Sequence, residues 1–261
     1  MQLEVLAEFD RLCRRHDLTY YLAYGTLLGA VRHGGYIPWD DDIDVMMPRG
    51  EYDRLHQVFQ AAAPVHLTLD SLMTRADWPF PYAKVSHDRT EMFEPLQDPL
   101  PLGVNVDVFP LDAVPSNRFA RALQAMALRL LRWAVELRYI AAVRGRDWHH
   151  PLAIAVGKPV LRLVPVRVLP AAFTRVAQVG RASRDRVGVR VGSFDWSVPA
   201  PALGVPTELR FESMRLLAPA EPDAVLTAVY GDYRQLPPEP ERTSEHVFTA
   251  MWRDNDGPVQ P

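Results

Sequence analysis

Residues Tyr20 to Met47 read YYLAYGTLLGAVRHGGYIPWDDDIDVMM, and this stretch decides the fold. An apolar run leads into Gly25-Thr26, and four aspartates, Asp40, Asp41, Asp42 and Asp44, follow between apolar neighbours. Acidic clusters are ordinary in solvated turns, and Asp is a common helix cap of the kind expected near Pro48. Against apolar neighbours, however, desolvation and mutual repulsion make such a cluster costly unless a cation or a run of hydrogen-bond donors compensates. Alternation from Asp42 through Ile43 and Asp44 to Val45 predicts a strand with both acids on one face. Paired oxygen ligands with room for water and phosphate oxygens suit Mg²⁺ or Mn²⁺ rather than zinc.

The upstream half of the stretch strengthens that expectation. Tyr20 to Tyr24 reads as a strand and Leu27 to Arg32 as the first turns of a helix, with Gly25-Thr26 between them. A strand, a glycine turn and a helix N-terminus together form an anion site, because unpaired N–H groups and the helix dipole point at whatever lies there. A phosphate cradle and a metal pair are thus encoded a few residues apart, and together they specify a metal-chelated nucleotide phosphate.

Other charged residues are weighed against this frame. Asp107 lies between Val106 and Val108 in an alternating strand, where a core residue is expected. Alone it would read as a cap or an arginine partner. Beside Asp42 and Asp44 it supplies the third carboxylate that metal-assisted phosphoryl transfer uses to hold an ion or take a proton. Lys84 is either an edge-strand charge that deters pairing or a neutraliser of a diphosphate. Arg32 is either a surface helix residue or a planar fork for the same phosphates. Trp39 either stacks on a base or sugar or buttresses the aspartate loop. His33 reads as an orienting or structural residue, and Asp112 as a turn or cap residue beyond the strand.

The ordered set Tyr24-Gly25-Thr26-Leu27-Leu28-Gly29-Ala30-Val31-Arg32-His33, Ile37-Pro38-Trp39-Asp40-Asp41-Asp42-Ile43-Asp44, Tyr82-Ala83-Lys84-Val85, Val104 to Asp112, and Tyr230-Gly231-Asp232-Tyr233 before Leu236-Pro237-Pro238 and Arg242 resembles the LicD family of phosphotransferases. That family has the nucleotidyltransferase fold and includes the fukutin-related proteins. The resemblance implies metal-dependent transfer of a phospho-alcohol, such as phosphocholine, ribitol phosphate or glycerol phosphate, from a CDP-linked donor to a hydroxyl of a cell-surface glycan or lipid-linked glycan. It also implies roles. Asp42, Asp44 and Asp107 hold Mg²⁺ or Mn²⁺ and are the catalytic acids, while Gly25, Thr26, Arg32 and Lys84 bind the donor phosphates. The C-terminal element would close over the site, with Arg242 near phosphate. The cysteine ligands that give fukutin-related proteins a structural zinc are missing here. Two rival functions remain: a nucleotidyltransferase moving NMP from an NTP to a small molecule, and a non-catalytic scaffold for membrane or partner.

Length and composition agree with an α+β fold, a mixed sheet with flanking helices. The 261 residues are 48% hydrophobic, ample for a core. Expected strands run Tyr20 to Tyr24, Ile43 to Met46, Val65 to Leu69, Tyr82 to Ser86 and Val104 to Phe109, with helices over Leu27 to Arg32 and Glu51 to Ala62. Leu3, Leu6, Phe9, Leu12 and Cys13 recur at helical spacing and predict an amphipathic first helix. The single cysteine, Cys13, makes no internal disulfide. Acidic residues near Met1 argue against a secretory signal, and no run reaches the length of a membrane span, so a cytoplasmic protein is expected, one that can sit at the inner face of a membrane.

Charge is segregated. Between Arg118 and Arg190 stand fifteen basic residues against Glu136, Asp147 and Asp185, a net +12 in a chain whose total is −3. Phe119 to Val143 predicts a long helix, and Pro159, Pro165 and Pro170 break the part that follows. Three interpretations are open: a helical subdomain with a solvated arginine face, a surface resting on anionic lipid, and nucleic-acid binding. No reader motif or aromatic interleaving supports the last, and no nucleic acid partner is expected. The expected organisation is a catalytic core over 1–115, the basic helical region over 116–190, a C-terminal segment over 191–253 packing back on the core, and a frayed tail over 254–261. Pro95 to Pro101, Pro199 to Pro206 and Pro237 to Pro240 read as ordered connections. Gly231 fits a helix C-cap after a run starting near Pro222.

Overall fold

The computed structural model describes residues 1–93, 102–139, 157, 159–191, 194–243 and 249–253. The proline-rich stretch 95–101, the continuation of the long helix to 143 and the tail 254–261 lie outside the described residues. The architecture is α+β, as the pattern predicts. Helix α1 (Gln2–Arg15) buries Val5, Leu6, Phe9, Leu12 and Cys13; of the periodic set that predicts it, only Leu3 stays half-buried, and Val5 is buried in addition. Burial, with Asp10 and Glu51 nearby, pushes the Cys13 thiol far up, so it behaves as a small apolar core residue.

The central sheet runs in the order β1 (Tyr21–Leu22), β2 (Asp44–Pro48), β6 (Asn105–Ala113), β4 (Ala83–His87) and β3 (Leu67–Asp70). Only β2 and β6 among these neighbours pair in parallel. Strand β7 (Arg186–Val191) joins the far half of β6 and carries the short β8 (Phe194–Asp195) and β9 (Val198–Pro199). Two ribbons complete the strands, β10 (Thr207–Phe211) with β11 (Met214–Ala218), and β5 (Thr90–Phe93) with β12 (Thr249–Trp252). Further helices among the described residues include α2 (Tyr24–Arg32), α3 (Arg49–Ala62), α4 (Arg118–Tyr139), α5 (Val168–Ala177) and α6 (Pro222–Tyr230).

Strand β6 is the spine, and it is longer than the sequence predicts. Phe109-Pro110 reads as a terminator, because proline removes a ladder donor. Pro110 is tolerated because of where its missing N–H would point. The Asp107 N–H donates to Ile43 O at 2.9 Å, toward β2. Even-numbered residues therefore face the other edge. There the β4 ladder ends at Val108 and the β7 ladder begins at Leu111. Pro110 falls in the gap, so no bond is lost and the strand continues to Ala113.

That continuation corrects the expectation for Asp112. It lies inside β6, not beyond it, an odd number of residues from Asp107 and so on the opposite face. Buried there, it takes two parallel bonds from Arg49 at the start of α3, at 2.8 and 2.7 Å. The pair is structural and ties α3 to the spine. Strand β2 also begins later than the pattern predicts: Asp42 and Ile43 precede it, and it runs on to Pro48. Gly231 caps α6 with φ 69°, as expected. Among the described residues no helix is long and apolar enough to cross a membrane.

Candidate active site

The site is built by register. Asp44 of β2 lies opposite Asp107 of β6, and Asp107 lies opposite Lys84 of β4. Directly opposed residues share a sheet face with neighbouring strands about 4.8 Å apart, so three charged side chains form one row across three central strands. Lys84 Nζ is 2.5 Å from Asp107 Oδ1 and donates to Asn105 Oδ1 at 3.2 Å. Asp44 is only 7% exposed. Burial, then the carboxylates of Asp42 and Asp107, hold its pKa well above the ordinary carboxylate range, and the opposing pull of Lys84 does not outweigh them.

Glycine and threonine of the first motif act on this row from α2. The helix starts earlier than the sequence predicts, at Tyr24, so Gly25 and Thr26 form its first turn and are not a turn preceding it. Tyr24 itself has φ 43°, the left-handed conformation that swings the chain out of β1 into the helix. Thr26 is buried, and its Oγ1 accepts the Asp44 N–H at 2.8 Å, while Ala23 N–H donates to Asp44 O at 3.0 Å. Backbone on both sides of the Asp44 carboxylate is thereby fixed. Gly25 is required for a separate reason: a Cβ there would overlap Asp40 Oδ2. The absence of a side chain lets the aspartate loop close onto the helix N-terminus.

In that loop the carboxylates of Asp40, Asp41 and Asp42 bring one oxygen each within 4.8 Å of one another, all half-buried. The expected trio of Asp42, Asp44 and Asp107 is brought together differently. Asp44 and Asp107 are strand neighbours, Asp42 acts on Asp44 from the loop, and Asp107 is turned to Lys84. Asp40 and Asp41 are the acids that alternation alone missed. Their signal was present in the run of three carboxylates, and only the strand's late start shows that the loop carries them.

Two more groups border the row. On the same face of the sheet, Phe109 packs edge-on to Tyr24 at 5.2 Å and against Tyr82 at 4.5 Å, Tyr82 stacks on Phe80 at 5.3 Å, and Lys84 Nζ lies 5.7 Å from the centres of both Phe80 and Tyr82. The Trp196 indole N–H donates to Tyr24 Oη at 3.3 Å. At the other end of α2, Arg32 donates to Tyr233 O at 3.3 Å. Burial lowers the Arg32 pKa, and the nearby Arg242 guanidinium adds to the lowering. Arg242 lies 5.5 Å over the Trp39 ring, and His33 meets the same indole edge-on at 6.4 Å. Arg242 from the C-terminal segment and His33 at the end of α2 therefore converge on Trp39, next to the aspartate loop, with Arg32 close enough to Arg242 for the two charges to repel.

Residues 17–113 match the family described as LicD/FKTN/FKRP, nucleotidyltransferase domain. Over 257 residues the chain is 27% identical to the lipopolysaccharide cholinephosphotransferase LicD of Haemophilus influenzae, covering 95% of this chain and 94% of that one. Shorter matches join it to uncharacterized proteins of Rickettsia prowazekii, 36% identical over 55 residues and 21% of each chain, and of Rickettsia typhi, 43% identical over 42 residues, 16% of this chain and 14% of that one. Every member of the charged row, the aspartate loop and the first turns of α2 falls within the segment that matches this family.

Proposed function

We propose that this chain is a metal-dependent phosphotransferase that moves a phospho-alcohol from a CDP-linked donor to a hydroxyl of a cell-surface glycan or glycolipid precursor. One observation carries the proposal: a buried Asp44 whose charge is opposed by burial and by neighbouring acids, in a row with Asp107 and Lys84. Evolution of a merely structural sheet would put an apolar residue there, since a buried carboxylate destabilises unless a cation joins it. Hard carboxylate oxygens from Asp44, Asp107 and the Asp40–Asp42 loop suit Mg²⁺ or Mn²⁺. Bound there, the ion would neutralise the donor diphosphate and polarise the phosphorus that is attacked.

The chain's own residues do the rest. Arg32 and Lys84 would meet phosphate oxygens as charge builds on the departing CMP, and the N–H groups of the first turn of α2 at Gly25 and Thr26 would face the same anion. Asp107 would accept the proton of the acceptor hydroxyl, whose oxygen bonds to the phospho-alcohol phosphorus as the anhydride bond to CMP breaks. Positioning and charge neutralisation supply most of the acceleration in such transfers.

Among the alcohols, choline is favoured. Its quaternary ammonium is cationic, and the Phe80–Tyr82 pair already attracts the Lys84 ammonium. The similar Haemophilus protein is named for cholinephosphate transfer. In this reading the enzyme works on a lipid-linked or glycan acceptor from the cytoplasm, where nucleotide-activated donors are made. Incubation with Mg²⁺ and a panel of CDP-alcohols and NTPs tests it. Release of CMP with the alcohol on the acceptor supports the proposal; pyrophosphate release from an NTP points to nucleotidyl transfer instead.

A further inference from the structure

We propose that the outer face of α4 is a docking surface for an anionic lipid membrane. Phe119, Leu123, Met126, Leu130 and Trp133 recur at intervals of four and three, which puts them in one stripe along the helix. All are exposed, from 47% at Trp133 to 77% at Phe119. The opposite side of α4 is already used: Gln124 and Leu128 are buried, and the Gln124 amide donates to Val176 O and Ala177 O at the end of α5. The stripe is therefore a second apolar face on a helix whose core contacts are satisfied. At 1.5 Å per residue its fifteen residues extend over about 21 Å, far more than scattered surface hydrophobes would.

Charge selects the occupant. With roughly 100° per residue, Arg118 and Arg129 stand to one side of the stripe, and both are exposed. The short helical stretch 159–162 and the turn after it repeat the composition, with Val160 and Leu163 exposed beside exposed Arg162. They are tied to α4 by the Arg138 guanidinium, which donates to Leu161 O and Val164 O. A long apolar stripe bordered by arginines is the pattern of a helix that lies in the plane of a bilayer, its side chains among acyl chains and its guanidinium groups at anionic headgroups. A second copy of this chain fits less well, because a self-complementary contact would bring arginine borders together inside a region of net +12. The proposal does not depend on which reaction the site performs. It does give that reaction a geometry, since β6, which carries Asp107, runs into α4 only a few residues after Ala113.

Flotation of the full chain with vesicles tests it directly. With equal parts phosphatidylcholine and phosphatidylglycerol the protein should float, and with phosphatidylcholine alone it should stay at the bottom of the gradient. The Leu123→Glu/Leu130→Glu variant changes exposed positions, should keep the wild-type Tm, and should partition at least about tenfold more weakly. Arg118→Gln/Arg129→Gln should weaken binding to the anionic vesicles and flatten its salt dependence. Binding that is unchanged by the leucine substitutions overturns the proposal. So does a wild-type dimer in light scattering that the same leucine variant breaks, with no flotation, which would assign the face to a second copy. These readouts do not use activity, so failure here and failure of the phosphotransferase proposal are separate results.

Discussion

The charged row of the central sheet and the outer face of α4 depart from ordinary protein anatomy in opposite directions. In the sheet, Asp44, Asp107 and Lys84 put charge in the middle of central strands, each next in chain to a fully buried valine, Val45, Val106 or Val85. On α4, five large apolar side chains stand in solvent among arginines. Both arrangements cost folding free energy, and each would be offset by the partner proposed for it, a cation for the row and acyl chains for the helix. The difference lies in how rigidly each is held. The row is fixed by the register of three strands and by the Thr26 bond to the Asp44 amide, as the proposed phosphoryl transfer would require. The helix face needs only to be flat and exposed.

The largest effect expected from breaking the first half of this contrast comes from Asp44→Asn. Turnover should fall by about 10³-fold, while the Tm should hold or rise, because a buried charge is removed and the Thr26 contact uses only backbone. Single-turnover kinetics and calorimetry on the same preparation check both signs. The opposite face of β6 should respond in reverse. Asp112→Ala leaves the Arg49 guanidinium without its bidentate partner and should cost about 3–5 kcal/mol in denaturant unfolding, with kcat of the folded fraction near wild type. Two acids on opposite faces of the paired strands β2 and β6 would thus separate cleanly into a chemical and a structural one.

Gly25→Ala should lower kcat by roughly 10²-fold with a modest change in Tm, because the new methyl displaces Asp40 and loosens the aspartate loop. If kcat is unaffected, close seating of that loop on α2 is unimportant to the site. The smallest effect concerns the core around α3. His56 accepts no easy proton: burial lowers its pKa, its Nδ1–H donates to Tyr52 O at 2.8 Å, and its Nε2 lies 2.8 Å from Ser71 Oγ. The unfolded chain therefore binds a proton near pH 6.5 that the folded chain refuses until lower pH. Stability should fall as pH drops through that value, with a slope of at most about 1.4 kcal/mol per pH unit. A His56→Gln protein should lose this slope in pH-dependent unfolding.

Much of the site was legible because its signals are local. The Gly25-Thr26 turn, the aspartate run and the isolated charges Lys84 and Asp107 are each anomalies within a few residues of chain. What the sequence could not reveal is pairing. Asp107 and Lys84 are far apart in sequence from Asp44, and only strand order and register make them neighbours. Asp112 was misjudged because proline ordinarily ends a strand, and the gap between the β4 and β7 ladders that tolerates Pro110 is a tertiary fact. The meeting of Arg242 and His33 at Trp39 joins opposite ends of the chain and leaves no periodic trace. For α4 the sequence predicts a helix with apolar residues nearly all round. Which side stays uncovered is decided by α5 packing on the other.

In the proposed reaction the charged row and its loop hold a divalent cation against a nucleotide diphosphate. Titration of Mn²⁺ into the protein in the presence of CDP, followed by electron paramagnetic resonance of the free ion, measures this without any assumption about acceptor. Wild-type protein should deplete free Mn²⁺ in a CDP-dependent manner, and Asp44→Asn and Asp107→Asn, folded by their Tm, should not. Equal Mn²⁺ uptake by wild type and both variants would contradict the account.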